Sequence, residues 1–424
     1  MSRSVHCKKE RYSSETVQIQ YPEKSNVEAR TFRRVIWPLF LTVSIQALVS
    51  MTALTVPVFM PVLAAEVNIS PSYAGIFVTL MYVGATISAP VSGYIIDRFG
   101  PVFVSQICLV LCALGLAAVS TASILWFMFG AFIIGLGYGP VTPASSHLLA
   151  RNAPPGIMAL VFSIKQTGVP LGGAMAGAIV PHLVIFCGWR RTALLVGAFN
   201  IILSLLILPW RKKFDGSSRI FYSFSWKYAV EPIKTTLLNR DLRQLVVTSF
   251  IFVTMQLCLI SFLVIYLTQD VGMTLIQAGL MLSVAQTAGV IGRIVCGGLA
   301  DRYRNPYLIL GMMGLAMAFG ALCLAMFSPG WPFAAMLIIC LLFGAAAIGW
   351  NGVYLAEVAR LVKPENAGMA TGGSLFFTFC GVLIGLPAFS IIVDATGSYP
   401  IGFVSAATGT LMCGLLLIFS RKSR

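Results

Sequence analysis

Gly93-Tyr94-Ile95-Ile96-Asp97-Arg98 closes one long apolar run, and Gly297-Gly298-Leu299-Ala300-Asp301-Arg302 closes another 204 residues later. A second pair recurs at nearly the same offset: Ala150-Arg151 with Pro154, and Ala359-Arg360 with Pro364, 209 to 210 residues on. The same polar punctuation at a near-constant offset, set between long apolar runs, reads as one helical unit present twice. Parallel repeats of this kind hold a binding site between the halves near the bilayer midplane.

Working outward, the runs fall near 35–63, 73–96, 101–121, 124–149, 157–182, 190–210, 244–268, 275–299, 306–327, 331–357, 367–392 and 399–420. Each matches the roughly 20 residues a spanning helix needs. The breaks at Thr121–Ser123 and Ser328–Gly330 are tight, but merging either pair would leave a run about twice what a bilayer requires. The composition agrees, with 58% hydrophobic and 10% charged residues, where soluble domains hold about 45–50% and 25%. The expected fold is an all-α integral membrane protein of twelve transmembrane helices in two six-helix halves. Residues 35–210 form the first half and 244–420 the second, with a basic loop 211–243 between them. Residues 1–34 read as a disordered tail of mixed charge and 421–424 as a short tail. The tail is too acidic for a secretory leader, and the run that follows it is too long.

Of 29 basic residues, 25 fall on the side reached after every second span and two, Arg190 and Arg191, on the other. The positive-inside rule then places both termini and the 211–243 loop in the cytoplasm of an inner or plasma membrane. The net charge of +15 is topology, and no nucleic-acid partner is expected. Cysteines such as Cys108, Cys112, Cys258 and Cys340 lie within apolar runs as small fillers, without a C-x-x-C pair. His147 and His182 stand at span ends without partners at ligand spacing, so no metal is expected, and no cofactor.

On these residues the chain resembles the major facilitator superfamily. Gly93, Asp97, Arg98 and Gly100 match its signature between spans two and three, with Pro101 and Val102 where that signature has basic residues. The second copy keeps Gly297, Asp301 and Arg302 but carries Arg304 where the later glycine belongs. The resemblance covers roughly residues 35–420 and implies gradient-driven alternating access. In physical terms Gly93 permits close helix approach, and Asp97 can pair with a basic group of a neighbouring span in one conformation, as a gate. Glu357 with Arg360 reads equally as a gate pair or an interfacial cap. Gly168-Val-Pro170-Leu-Gly172-Gly173 is similar to the Gly-Pro-x-x-Gly-Gly signature of drug/proton antiporters with the proline displaced by one position. A bent, closely packed helix is the simpler account of it.

The remaining two basic residues, Lys165 and Arg293, lie inside spans. Lys165 lies nine residues beyond Gly156 and Arg293 eight before Asp301, about 12–14 Å at 1.5 Å per residue, which is near midplane, one in each half. A basic residue there costs roughly 2.5–3.5 kcal/mol and usually faces a cavity or a partner. Glu66, Asp270 and Asp394 belong to outer span ends and Glu357 to an inner one, so the missing negative charge can be the substrate. An arginine fork suits a carboxylate and a lysine supplies a point charge. The alternative is that each cation snorkels or bonds backbone carbonyls. Anion carriers of the superfamily, such as the oxalate/formate and monocarboxylate types, resemble this chain in having an arginine on span eight. The oxalate/formate type has its lysine on span eleven, whereas Lys165 is on span five.

Gln166, Tyr138, Trp350, Asn351 and Tyr354 are further candidates to line a cavity, or else bridge helices. The expected function is secondary transport of a small organic anion, most simply a carboxylate, with protons, by a monomer in contact with membrane lipid. A drug or metabolite exporter is the rival within transport, and a membrane-embedded sensor or enzyme the rival outside it. H-E-x-x-H, G-x-S-x-G and P-loop patterns are missing, so no enzyme is expected.

Overall fold

The computed structural model describes residues 24–67, 73–215 and 227–419. The helices in chain order are α1 (Lys24–Val67), α2 (Tyr73–Phe99), α3 (Pro101–Ser120), α4 (Ile124–Asn152), α5 (Met158–Gln166), α6 (Gly168–Leu206), α7 (Arg211–Phe214) and α8 (Lys227–Leu238). They continue as α9 (Arg240–Gln269), α10 (Leu275–Tyr303), α11 (Pro306–Ala325), α12 (Phe333–Gly349), α13 (Asn351–Arg360), α14 (Ala367–Thr396) and α15 (Tyr399–Phe419). No strand occurs among the described residues. Among the described residues eleven stretches are long and apolar enough to cross a membrane, and one of them, Pro155–Phe214, runs 60 residues. It breaks at Gly188, whose φ of 81° only glycine adopts readily, so it supplies the fifth and sixth crossings.

The sequence marks the helix ends chemically. Thr274 and Gln277 form a reciprocal capping box at the start of α10. Asn305 caps α11 ahead of Pro306, whose missing N–H costs nothing in a first turn. The tight turn after Ser120 is real, with α4 beginning at Ile124. Between α2 and α3 the chain turns through Gly100 at φ 92°. The Asp215 carboxylate accepts the Val102 and Phe103 N–H groups at 2.8 and 3.1 Å, so a residue just beyond the sixth span caps the third. Burial pushes the Asp215 carboxyl above its usual range, and the two N–H donors and Arg211 oppose that shift.

Two expectations need correction. Residues 24–34, assigned to the tail, belong to α1. They contain neither Gly nor Pro, so a helix nucleated by the adjoining span propagates back through them. Residues 1–23 lie outside the described residues. The 211–243 loop is also partly helical, through α7, α8 and the first turn of α9, while 216–226 lie outside the described residues, as do 420–424.

Two apolar cores form, one within the first half on Val49, Phe59, Leu109, Ile134 and Val196, and one centred in the second on Leu259, Leu263, Met317, Phe343 and Phe403, which extends to Ala85, Leu149 and Phe162 of the first. Helix pairing repeats between the halves: α2 packs on α4 as α10 does on α12, and α1 on α6 as α9 does on α14. Large side chains such as Leu114, Phe186, Phe319 and Ile391 point outward, as a lipid-facing surface requires.

The halves meet toward the face that carries the described chain ends, here called the terminal face. There α2 lies on α14 and α5 on α10 and α13. A Cβ at Gly93 would fall 2.5 Å from Met369 Cα, and one at Gly297 would fall 2.4 Å from Ser163 Oγ. α8 lies against α2 and α14 on this face, with Thr236 buried and the Pro232 carbonyl at Gly373.

Candidate functional site

Lys165 is the last-turn cation of α5 and is 1% exposed. Its ammonium donates to Gln46 Oε1 at 2.9 Å, Thr142 Oγ1 at 3.0 Å and Gln166 Oε1 at 3.0 Å. Three donors thus meet three acceptors, and every acceptor is neutral. Glycines set this geometry. A Cβ at Gly168 would fall 2.9 Å from Gln46 Cβ, and one at Gly172 would fall 2.2 Å from the Ala47 carbonyl. α1 therefore comes close enough to bring Gln46 onto the lysine. Gly173, by contrast, looks toward Leu54.

Arg293, 2% exposed, reaches across the boundary between the halves. Its Nε donates to the Ile348 carbonyl at 2.9 Å, in the last turn of α12. One terminal nitrogen donates to the Gln166 carbonyl, at the end of α5. That carbonyl is available because residue 170, which would supply its intrahelical N–H, is Pro170. Gln166 thus binds Lys165 through its side chain and Arg293 through its backbone. Among the described residues no carboxylate lies at ion-pair distance from either cation. Arg293, expected to face a carboxylate, meets two backbone carbonyls here.

Around this pair, Tyr138 interacts with Ser50 and Arg293. With Tyr82 and Phe379 it forms an aromatic cluster spanning both halves, ring centroids 5.8 to 6.3 Å apart. Trp350 and Asn351 both donate to Gln256 Oε1, at 3.1 and 3.2 Å, and Trp350 packs on Phe252 and Tyr354. Gln46, Thr142 and Gln256 are absent from the sequence reading of the site. The two glutamines are amides within apolar runs, a signal that identifies them by the same logic as Lys165.

The residues expected to form a gate are unequal in their contacts. Asp301, at the end of α10, accepts the Ala159 and Leu160 N–H groups at 3.1 and 2.8 Å, which caps α5 in the other half, and it pairs with Arg360. Arg360 also reaches the Pro155 carbonyl at 3.3 Å and Glu357 at 3.8 Å, so Glu357 belongs to the same cluster. Asp97, the residue expected to latch, has a side chain 53% exposed, 4.0 Å from His147 Nδ1, and Asn366 at the start of α14 makes no side-chain cap hydrogen bond of its own. Of the two residues expected to latch, Asp301 therefore bonds across the halves, while Asp97 has only the distant His147 contact. Arg98 donates to Tyr94 Oη at 2.9 Å and lies over Phe99, while Arg302 is exposed.

A family model described as Major Facilitator Superfamily matches residues 42–372. The chain is 26% identical over 368 residues to a benzoate transport protein of Acinetobacter baylyi, covering 77% of each chain. It is 24% identical over 377 residues to a hexuronate transporter of Bacillus subtilis, covering 84% of this chain and 88% of that one. Among solved structures, the fucose:proton symporter of Escherichia coli superposes with a TM-score of 0.71 at 19% identity, over 91% of this chain and 98% of that one.

Proposed function

Because the chain belongs to the Major Facilitator Superfamily, and is a multi-pass membrane transporter rather than an enzyme, we propose that it carries a small organic carboxylate together with a proton by alternating access. The observation that carries this reading is the pair of buried cations, Lys165 and Arg293, joined through Gln166 with neutral partners alone. Buried charge without a counter-charge is costly, and a carboxylate supplies what is missing. The named substrates of the two relatives, benzoate and a hexuronate, are both carboxylates. The cluster of Tyr82, Tyr138 and Phe379 beside the cations suits a flat, ring-bearing acid, and Gln256 with Asn351 offers amides to further polar groups.

Coupling follows from the membrane potential. Moving one negative charge into a negative interior costs about 2.3 kcal/mol per 100 mV, and a proton moving with it cancels that cost. By the distribution of basic residues the terminal face is cytoplasmic. The conformation is then the one closed to the cytoplasm, with Asp301, Arg360 and the start of α5 as its latch. Proteoliposomes test the reading. An imposed inward proton gradient should drive uptake of labelled benzoate or glucuronate and leave the corresponding amide outside. Equal uptake of acid and amide would reject it.

A further inference from the structure

We propose that Pro170 is the positioning residue that lets anion binding release the terminal face; this rests on the carboxylate reading above. Residue 170 would normally donate its N–H to the Gln166 carbonyl, and proline has none to give. A carbonyl left without a donor inside a membrane must find one elsewhere. It finds Arg293, from the opposite half. Pro170 therefore turns a bond that would be internal to one helix into a bond that holds two halves together.

The donor it recruits is the side chain a carboxylate would also claim. A guanidinium bonds a carboxylate more strongly than a neutral carbonyl, and can do so with two parallel N–H groups. An anion arriving between Lys165 and Arg293 therefore competes with the Gln166 carbonyl for Arg293, and the closed state loses one of its inter-half bonds. The Ile348 bond lies within the second half, so it can persist while Arg293 turns. When the anion departs, the Gln166 carbonyl is again without a helical donor and draws Arg293 back. With any other residue at position 170 the carbonyl would have an internal partner in both conformations, and the link between occupancy and gate would weaken.

A bend at Pro170 is the competing explanation, and a double-mutant cycle separates the two. Spin labels would be placed on Gly156 and Lys363, exposed positions in opposite halves on the terminal face, in a cysteine-free background. Pulsed-EPR distances would be recorded with and without benzoate or glucuronate. In the wild type the short distance should dominate, and the acid should add a long-distance population. Pro170→Ala should raise that population by at least about tenfold without any anion, the scale of one charge-assisted hydrogen bond. Pro170→Gly, which restores the N–H yet keeps the chain pliable, should do the same. In an Arg293→Gln background neither change should add anything. An unaltered distribution in Pro170→Ala, or an effect that persists in full with Arg293→Gln, overturns the coupling role. If neither acid moves the wild type while Pro170→Ala still opens it, the carboxylate reading falls, and the anion-driven release with it.

Discussion

Asp301→Asn removes the most heavily bonded side chain of the proposed gate, and its cost can be worked from the contacts. The carboxylate accepts two backbone N–H groups, at 2.8 and 3.1 Å, and pairs with Arg360 with only 6% of its side chain exposed. A hydrogen bond to a charged group is worth about 1.5–3 kcal/mol, and a negative charge at a helix N-terminus adds about 0.3–1 kcal/mol. Asparagine keeps one acceptor oxygen, so one N–H stays bonded, while its amide nitrogen turns a donor toward donors. The loss comes to roughly 2–4 kcal/mol, all of it from the closed state, which shifts the conformational equilibrium about 30- to 1,000-fold. Asp97→Asn should cost under about 1 kcal/mol, because Asp97 is half-exposed and 4.0 Å from its nearest ionisable partner. The assay is the Gly156–Lys363 spin-label distance in the two variants, beside their melting temperatures. Asp301→Asn should open the terminal face with little change in melting, and Asp97→Asn should leave it closed. Equal responses from the two, or none from Asp301→Asn, would refute the assignment of the engaged latch.

Further outcomes follow from the same contacts. Gly100→Ala should destabilise the first half by at least about 2 kcal/mol, seen as a lower melting temperature in detergent, because it meets both φ 92° and Asp215, whose Cβ would lie 2.3 Å from the new Cβ. Lys165→Gln should weaken carboxylate binding less than Arg293→Gln, since the fork remains; the reverse order in a binding titration would exchange their roles. Reporter fusions at Arg424 should be active only with cytoplasmic reporters, and activity of a periplasmic reporter there would invert the topology.

Helix count and the repeated layout were legible because length, hydropathy and the repeated Gly-x-x-x-Asp-Arg unit all point the same way, whereas which helices pack together was not read. Lys165 and Arg293 stood out since every other basic residue lies outside the spans or at a span end. Three features were not legible. Arg293's partners are backbone carbonyls, which carry no residue signature, although Pro170 shows in hindsight where one carbonyl lacks its donor. Asp97 and Asp301 share the Gly-x-x-x-Asp-Arg spacing, so the motif alone does not tell which of them bonds across the halves. Asp215 caps α3 from more than 100 residues away, a contact that follows from how the third and sixth spans pack.

The central claim is that Lys165 and Arg293 hold a carboxylate, and calorimetric titration of the purified transporter with an acid and its amide tests it most directly. Benzoate or glucuronate should bind the wild type, while the matching amide should not. Arg293→Lys should already weaken the acid, since an ammonium cannot reproduce the fork, and Arg293→Ala should cost roughly 2–5 kcal/mol, the scale for truncating one partner of a buried charge pair. Equal binding of acid and amide, or wild-type affinity in Arg293→Ala, would contradict the account and leave both cations as structural ties between helices.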